Sequence, residues 1–290
     1  MRPKDLQTKI FLDSGDPNET REAIKLLGFL DGQTTNPSLI SKNPETAGKK
    51  FPKKELLEFY RQVVQEVSNL IPQGSVSVEV YADKNTTAEE MLEQGREMFS
   101  WIPNAHIKYP TTAAGLNAAH QSVQEGMRVN MTLCFSQQQA AAVYGATLRL
   151  ADARSGQAKG QVFVSPFIGR LDDRGENGMD LIANIIRMYQ NGDGHVEVLT
   201  ASVRSLDHLI YAIHLGTDIV TAPLKVFMEW GEKGLLLPGG NFIYTVGKLK
   251  PIPYEELDLD KDWSAFDISH ELTAAGIDRF ASDWNSLLEA

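Results

Sequence analysis

The stretch AHIKYPTTAAGLNAAHQSVQEGMRVNMTL, residues 105–133, decides the fold because it contains one complete strand–helix–strand unit. Ala105–Tyr109 predicts a short strand that Pro110 ends, and Arg128–Leu133 predicts a second strand. The segment between them, Ala113–Glu125, is rich in alanine and predicts a helix. Two strands joined by a helical crossover lie parallel in one sheet.

The same alternation runs outward from this unit in both directions along the chain. We predict eight strands, each followed by a helix, at Lys9–Asp13, Gly32–Asn36, Val76–Tyr81, Ala105–Tyr109, Arg128–Leu133, Gln161–Ser165, Glu197–Ala201 and Ile219–Thr221. The predicted helices include the amphipathic Lys54–Leu70, whose apolar face contains Tyr60, and the alanine-rich Gln137–Leu150. Eight such units in about 230 residues favour a closed (β/α)₈ barrel, a TIM barrel, over an open doubly wound sheet.

Residues 237–262 interrupt this alternation with three Pro, three Gly and an acidic run, and we predict an extended excursion over the surface. Ser264–Leu288 then predicts a helix with an apolar stripe made of Leu272, Ile277, Phe280, Trp284, Leu287 and Leu288. Because exposing aromatic rings such as those of Phe280 and Trp284 is costly, we expect the helix to pack on the barrel or on a neighbouring subunit. The expected fold class is α/β, with a barrel domain over residues 1–236 and a C-terminal extension over 237–290.

Composition limits the class of protein. The chain has 290 residues, 42% of them hydrophobic, and its one cysteine, Cys134, excludes an intramolecular disulfide and a cysteine-based metal site. Residues 255–290 hold ten acidic and two basic residues, so this segment carries −8 of the net charge of −10 and the body of the chain is nearly neutral. An anionic substrate is therefore compatible with the charge of the barrel.

Several other classes find no support in the sequence. The acidity argues against a nucleic-acid partner, and we find neither an apolar run that could span a membrane nor a signal peptide. Nucleotide-binding glycine motifs and metal-ligand spacings of histidine are also missing, so we expect no cofactor and no metal. A soluble, cytoplasmic protein is the expectation.

Polar side chains stand at the predicted C-terminal ends of the strands, where barrels place catalysis. In chain order they are Asp13, Asn36, Glu79, Lys108, Asn130, Thr132, Ser165, Ser202 and Arg204. A barrel core is ordinarily built from Val, Ile and Leu, so a ring of polar ends indicates a functional site.

Lys108 is the most informative of these residues. A lysine surrounded by the apolar wall of a barrel loses solvation of its ammonium, and its free amine can then attack a carbonyl to form a Schiff base. Asp13 and Glu79 can supply the acid–base steps, and Thr132 can orient a water. The structural alternatives are a solvated lysine, a capping carboxylate at Asp13 and an ion pair from Glu79 to a neighbouring strand.

Ser202 and Arg204 follow the seventh strand, where barrels commonly bind phosphate with loop donors and a helix N-terminus. Arg170 follows the sixth strand and can face the same anion through its guanidinium. The structural alternative for Arg170 is a salt bridge to Asp172 or Asp173.

At these residues the sequence resembles the transaldolase family, including its small fructose-6-phosphate aldolase-like members. The matching segments, in family order, are FLDSGD at 11–16, TTNPSLI at 34–40, SVEV at 77–80, IKYP at 107–110, NMTLCFS at 130–136, VSPFIGRLDD at 164–173 and ASVR at 201–204. The ending GIDRFASDW also looks like that of small transaldolases, whereas the 237–262 excursion is longer than in the minimal members.

The resemblance implies a class I mechanism with Lys108 as the Schiff-base lysine, Asp13 for proton transfer, and Glu79 with Thr132 for the catalytic water. It further implies substrate-hydroxyl contacts at Asn36, Asn130 and Ser165, and phosphate contacts at Arg170, Ser202 and Arg204. The implied reaction moves a dihydroxyacetone unit from fructose 6-phosphate or sedoheptulose 7-phosphate to an aldose phosphate, in the non-oxidative pentose phosphate pathway, without a cofactor. The family also implies a homo-oligomer.

Transferase and lyase activities remain alternatives. The aldolase-type members carry Tyr where this chain has Phe167, a residue of the substrate site, and Gln where it has Glu79. Both residues favour a transaldolase over an aldolase that releases free dihydroxyacetone. A barrel that binds sugar phosphates without catalysis is the third alternative, and the combination of Lys108 with two carboxylates argues against it.

Overall fold

A computed structural model of the chain, described here over residues 2–148, 159–240 and 242–289, confirms the predicted barrel. Eight parallel strands close in sequence order, β1 pairing with both β2 and β8. The strands are β1 Lys9–Asp13, β2 Gly32–Thr34, β3 Ser75–Glu79, β4 Ala105–Pro110, β5 Val129–Cys134, β6 Val162–Pro166, β7 Val196–Thr200 and β8 Ile219–Ala222.

Helices cover the outside of the barrel and follow the strands in turn. They are α1 Pro17–Leu27, α2 Pro37–Ser41, α3 Lys53–Leu70, α4 Ala88–Phe99, α5 Ala113–Gln124, α6 Gln137–Thr147, α7 Ile168–Asp173, α8 Gly178–Tyr189, α9 Leu206–Leu215, α10 Leu224–Glu232 and α11 Glu271–Asn285. Polar N-caps begin many of them. Asp16 accepts from Asn18 N–H, and Thr87 with Glu90 forms a capping box.

Aromatic packing closes the interior below the strand ends. The rings of Phe11 in β1 and Phe163 in β6 meet edge to face at 6.1 Å, although these strands are not neighbours. His106 in β4 stacks on Phe163 at 4.1 Å. The polar residues at the C-terminal ends of the strands therefore stand above a filled core.

The predicted helices differ from the structure in the C-terminal segment and at two short helices. The predicted helix Ser264–Leu288 is wrong over its first turns, because His270 adopts extended backbone and accepts Leu272 N–H, which starts α11 at Glu271. The short helices α2 and α7 were not predicted, since five or six residues are too few to show a helical period. Residues 149 and 150 of the helix predicted over Gln137–Leu150 lie outside the described residues.

The C-terminal extension crosses the barrel surface and ends over the strand ends of its own chain. Gln137 exchanges two hydrogen bonds with the backbone of Glu255, and Lys250 N–H donates to Gly175 O at 2.7 Å. Helix α11 then packs against α2 and β5, where Ser38 hydrogen-bonds Asp283. The division of the chain into domains at 236/237 stays a prediction.

Within the described ranges, none of the helices is long and apolar enough to cross a membrane.

Candidate active site

A cavity of about 260 Å³ opens at the C-terminal ends of the strands. It contains eight of the eleven predicted site residues: Asp13, Asn36, Lys108, Ser165, Phe167, Arg170, Ser202 and Arg204. The other three, Glu79, Asn130 and Thr132, are buried in the strands that flank it. The strand ends thus bring together residues that are up to 191 positions apart in the sequence.

Lys108 is buried at the end of β4, with 3% of its surface exposed. Its Nζ lies 2.7 Å from Glu79 Oε2 on the neighbouring strand β3 and donates a hydrogen bond to Thr35 O at 2.9 Å. The alternative of a solvated lysine is therefore wrong, whereas the ion pair expected as an alternative for Glu79 is present. Burial raises the pKa of Glu79, and the nearby Lys108 ammonium opposes that rise.

Asp13 ends β1 inside the cavity, so it is not the cap of the next helix, a role that Asp16 takes. Its Oδ1 accepts a hydrogen bond from Thr34 Oγ1 at 2.6 Å. Burial raises the pKa of Asp13, while that hydrogen bond and the charges of Lys108 and Lys42 counteract the rise. A raised pKa lets this carboxyl hold a proton more readily than an ordinary aspartate does.

A chain of hydrogen bonds orders the polar residues on the opposite wall. Ser165 Oγ donates to Asn130 Oδ1 at 2.6 Å, and Asn130 Nδ2 donates to Ser77 Oγ at 3.0 Å. Thr132 Oγ1 is buried and has no hydrogen-bond partner among the described residues. An unpaired hydroxyl in a buried position is unfavourable, so Thr132 is ready to hold a ligand atom or a water.

Asn36 follows β2, where it caps a helix and also lines the cavity. Its side-chain oxygen accepts Leu39 N–H at 2.9 Å and so caps α2. The residue also lines the cavity.

Guanidinium groups gather on the β6–β7 side of the cavity. Arg170 lies against the rings of Phe167 and Phe280, at 5.7 and 5.6 Å. Burial lowers the pKa of Arg170, and repulsion from Arg279 and Arg204 lowers it further. Like charges held together in this way favour binding of an anion.

The turn after β7 fixes Ser202 and Arg204 in place. Ser202 adopts a left-handed backbone with φ of 59°, and Gly169 N–H donates to its carbonyl. A Cβ at Gly169 would lie 2.4 Å from Arg204 Nε and 2.5 Å from Ser202 O, so only glycine fits this contact.

The acidic residues after Arg170 pair with other partners than the sequence suggested. Arg204 forms two hydrogen bonds with Asp173, at 2.5 and 2.7 Å, and His208 Nε2 lies 3.0 Å from Asp172 Oδ2. The expected alternative of a salt bridge from Arg170 to one of these carboxylates is therefore not what the structure shows.

Sequence reasoning missed several residues of the site. Lys42, which follows α2, and Arg279 of α11 line the same cavity, as do Thr34 and Ser38. Thr35 holds Lys108 through its backbone carbonyl, which no side-chain pattern can reveal. The TTNPS motif at 34–38 and the ending GIDRFASDW at 276–284 contain four of these residues, but neither motif assigned them a role.

A larger cavity, about 590 Å³, opens at the other end of the barrel and is lined by Lys9, His106 and Arg128 among others. None of the predicted site residues lies in it. Barrel enzymes carry out catalysis at the C-terminal face, which favours the smaller cavity as the active site. In the part of the chain that the structure describes, no cluster of three or more His, Cys, Asp or Glu side chains could hold a metal ion.

Comparisons of the sequence with known proteins point to one family. The family described as Transaldolase/Fructose-6-phosphate aldolase matches residues 10–290. A probable transaldolase of Dehalococcoides mccartyi is 34% identical over 96% of this chain and 99% of its own length. Probable transaldolases of Cereibacter sphaeroides and Brucella ovis are 43% and 42% identical over 75% and 74% of this chain, and each alignment covers 85% of the relative.

Proposed function

This chain belongs to the transaldolase/fructose-6-phosphate aldolase family, and from that premise we propose that it is a transaldolase that uses a Schiff base on Lys108. It moves a dihydroxyacetone unit from a ketose phosphate, such as fructose 6-phosphate or sedoheptulose 7-phosphate, to an aldose phosphate. One observation carries the proposal. The Lys108 ammonium is buried at the cavity, 2.7 Å from the Glu79 carboxylate and under the electrostatic influence of the Asp13 carboxylate.

The first steps form the Schiff base. Lys108 passes a proton to the Glu79 carboxylate. Its free amine then attacks the C2 carbonyl of the ketose, which gives a carbinolamine. That intermediate loses its hydroxyl as water, with a proton from the Glu79 carboxyl, whose raised pKa lets it hold one. The buried hydroxyl of Thr132, which has no hydrogen-bond partner in the described part of the chain, binds the departing water.

Carbon–carbon cleavage follows. Asp13 removes the proton of the C4 hydroxyl, the C3–C4 bond breaks, and the electron pair moves into the protonated imine to give an enamine. The aldose phosphate leaves, and the dihydroxyacetone unit stays on Lys108. Attack of the enamine on the acceptor aldehyde reverses these steps.

The remaining residues bind and orient the sugar. Asn36, Asn130 and Ser165 contact its hydroxyls, and the ordered Ser165–Asn130–Ser77 chain keeps two of them in one orientation. Arg170, Ser202 and Arg204 bind the terminal phosphate, for which guanidinium groups offer paired donors.

The lyase alternative is disfavoured by Phe167, which lines the cavity, and by Glu79, which is buried beside it. Phe167 lines it without a hydroxyl that could protonate the enamine, and Glu79 is a carboxylate and not an amide. The non-catalytic alternative leaves the buried Lys108–Glu79 pair without a purpose, although burying such a pair costs desolvation energy. A place in the pentose phosphate pathway, a cytoplasmic location and a homo-oligomer stay predictions.

Borohydride reduction in the presence of fructose 6-phosphate tests the proposal. We expect mass spectrometry to find an adduct on Lys108 in the wild type and in Lys9→Met, and none in Lys108→Met. Lys9 is the matched control, because it pairs with Glu197 at 2.9 Å at the opposite end of the same barrel. Dependence of turnover on erythrose 4-phosphate then separates transferase from lyase, and a wild type without any adduct would exclude both.

A further inference from the structure

Tyr60 belongs to α3, outside the barrel, yet its hydroxyl reaches between the ends of β2 and β3. The sequence pattern placed it in the apolar face of the helix, and the residue is fully buried. Its oxygen accepts Glu79 N–H at 2.9 Å and lies 2.6 Å from Thr35 Oγ1. A single side chain thus joins the backbone of Glu79 to the side chain of Thr35.

The direction of these hydrogen bonds follows from counting protons. Thr35 Oγ1 donates its one proton to Ser77 O at 2.8 Å, so it must accept from Tyr60. The sequence of donors is then Glu79 N–H, Tyr60 O–H and Thr35 O–H, and it ends on the carbonyl of Ser77. Burial raises the pKa of Tyr60, so the hydroxyl remains a donor at any working pH.

The two residues that Tyr60 joins are the two that hold Lys108. Glu79 Oε2 lies 2.7 Å from Lys108 Nζ, and Thr35 O accepts from the same nitrogen at 2.9 Å. We propose that Tyr60 is a positioning residue that fixes both partners of the Lys108 ammonium and thereby sets the rate of Schiff-base formation. This inference rests on the proposed function.

The ring of Tyr60 is itself held on two sides. Trp101 meets it edge to face at 5.9 Å, and Trp284 of α11 lies 5.8 Å away. The C-terminal helix therefore contributes to the rigidity of this hydrogen-bonded chain. A ring with fixed sides keeps its hydroxyl within hydrogen-bonding range, and misplacing a catalytic group by about 1 Å can cost about 100-fold in rate.

Tyr60→Phe tests the proposal, with Tyr189→Phe as the matched control. Tyr189 is another buried tyrosine of an outer helix, and its hydroxyl donates to Ala140 O at 2.7 Å, away from the cavity. We expect Tyr60→Phe to lower kcat and the single-turnover rate of borohydride trapping on Lys108 by about 10- to 100-fold. In Tyr60→Phe, KM for fructose 6-phosphate should change less than about threefold, because the guanidinium groups stay in place. The control Tyr189→Phe should change neither kcat nor the trapping rate by more than about twofold.

Two variants of Thr35 decide the matter if Tyr60→Phe does not fold. Thr35→Val removes the acceptor with little change of shape and should repeat the slow trapping, whereas Thr35→Ser keeps the hydroxyl and should restore the rate.

Wild-type trapping rates in Tyr60→Phe or Thr35→Val would overturn the inference and leave the proposed function intact. Equal losses in Tyr60→Phe and Tyr189→Phe would also overturn it. A wild type that forms no adduct would instead overturn the proposed function itself.

Discussion

Lys108 Nζ lies 2.7 Å from Glu79 Oε2 across neighbouring strands, and only 4% of each side chain is exposed. A buried ion pair seldom stabilises a fold relative to apolar residues of similar size, but the loss of one partner leaves an uncompensated charge. Lys108→Met should therefore lower the free energy of unfolding at pH 8 by about 3–5 kcal/mol.

The same variant should lose much less stability at pH 5. Burial raises the pKa of Glu79, and without the lysine the carboxyl can take up a proton and become neutral. Urea unfolding at both pH values measures the difference, and the double variant Lys108→Met/Glu79→Gln should lie close to the wild type at each. A loss that is the same at pH 5 and pH 8 would contradict this account of the pair.

Asp13→Asn should lower the activity and raise the free energy of unfolding. We expect kcat to fall by roughly 10²–10⁴-fold, the usual contribution of a placed acid–base group. The amide oxygen can still accept the hydrogen bond from Thr34 Oγ1, which is 2.6 Å long in the wild type. Asp16→Asn is the control, since asparagine also caps helices well and Asp16 only caps α1.

The stability of the Asp13 variant should depend on pH in a defined direction. Because burial raises the pKa of Asp13 above its ordinary value of 3.8, the folded chain holds this proton more tightly than the unfolded chain. The free energy of unfolding of the wild type therefore falls as pH rises through the window between 3.8 and the higher pKa of Asp13 in the folded chain. Asp13→Asn should be more stable than the wild type above the window and equal to it below pH 3.8. An unchanged difference across this range would contradict the burial cost assigned to Asp13.

The sequence was sufficient to predict the barrel and to place the candidate site residues that lie on its strands. Lys108 and Glu79 follow apolar runs that end at the same edge of the sheet, so the topology alone places them together. Lys42 and Arg279 could not be found in this way, because they lie just after α2 and on α11, and their spacing along the chain does not show that they line one cavity.

The ion pairs on the β6–β7 side of the cavity show the same limit. Proximity along the chain offered a salt bridge to Asp172 or Asp173 as the structural alternative for Arg170, but Asp173 pairs with Arg204, 31 residues away, and Asp172 lies beside His208. Tyr60 was predicted correctly as part of a buried face, and its hydroxyl could not be assigned because its partners are a backbone N–H and a threonine from two other elements.

Phe167→Tyr should raise the release of free dihydroxyacetone from fructose 6-phosphate by about tenfold or more, since a placed proton donor contributes about 10²–10⁴-fold. Phe167 lines the cavity in which we propose that the enamine forms, and it packs on Phe135 at 5.8 Å, so this substitution adds a hydroxyl at the wall of the proposed site. Phe135→Tyr is the control at the neighbouring ring. Unchanged release of dihydroxyacetone, measured without an acceptor aldehyde, would show that position 167 does not separate transferase from lyase.

Asp173→Asn should tighten the binding of phosphorylated substrates. Asp173 holds both terminal nitrogens of Arg204, which under the proposed function must turn to the phosphate when substrate binds. The pair is about half exposed, and such pairs contribute about 0–1 kcal/mol, so we expect KM for fructose 6-phosphate to fall by at most about fivefold with kcat unchanged. Asp193→Asn, remote from the cavity, is the control. A rise in KM would mean that Asp173 orients Arg204 for the phosphate instead of competing with it.

Arg279→Gln should weaken phosphate binding from the side of the C-terminal helix. Arg279 lines the cavity, and its charge lowers the pKa of the more deeply buried Arg170, so both groups lie within electrostatic range of one site. Because Arg279 is largely exposed, we expect a two- to fivefold rise in KM for fructose 6-phosphate, from a loss of about 0.5–1 kcal/mol that weakens further with added salt. Unphosphorylated fructose should bind as before, since it lacks the group that the guanidinium attracts. Arg187→Gln is the control, because Arg187 is another exposed arginine of a helix, lies over the ring of Tyr254 and does not line the cavity. An equal change in KM for fructose and for fructose 6-phosphate would show that Arg279 shapes the cavity without contacting the phosphate.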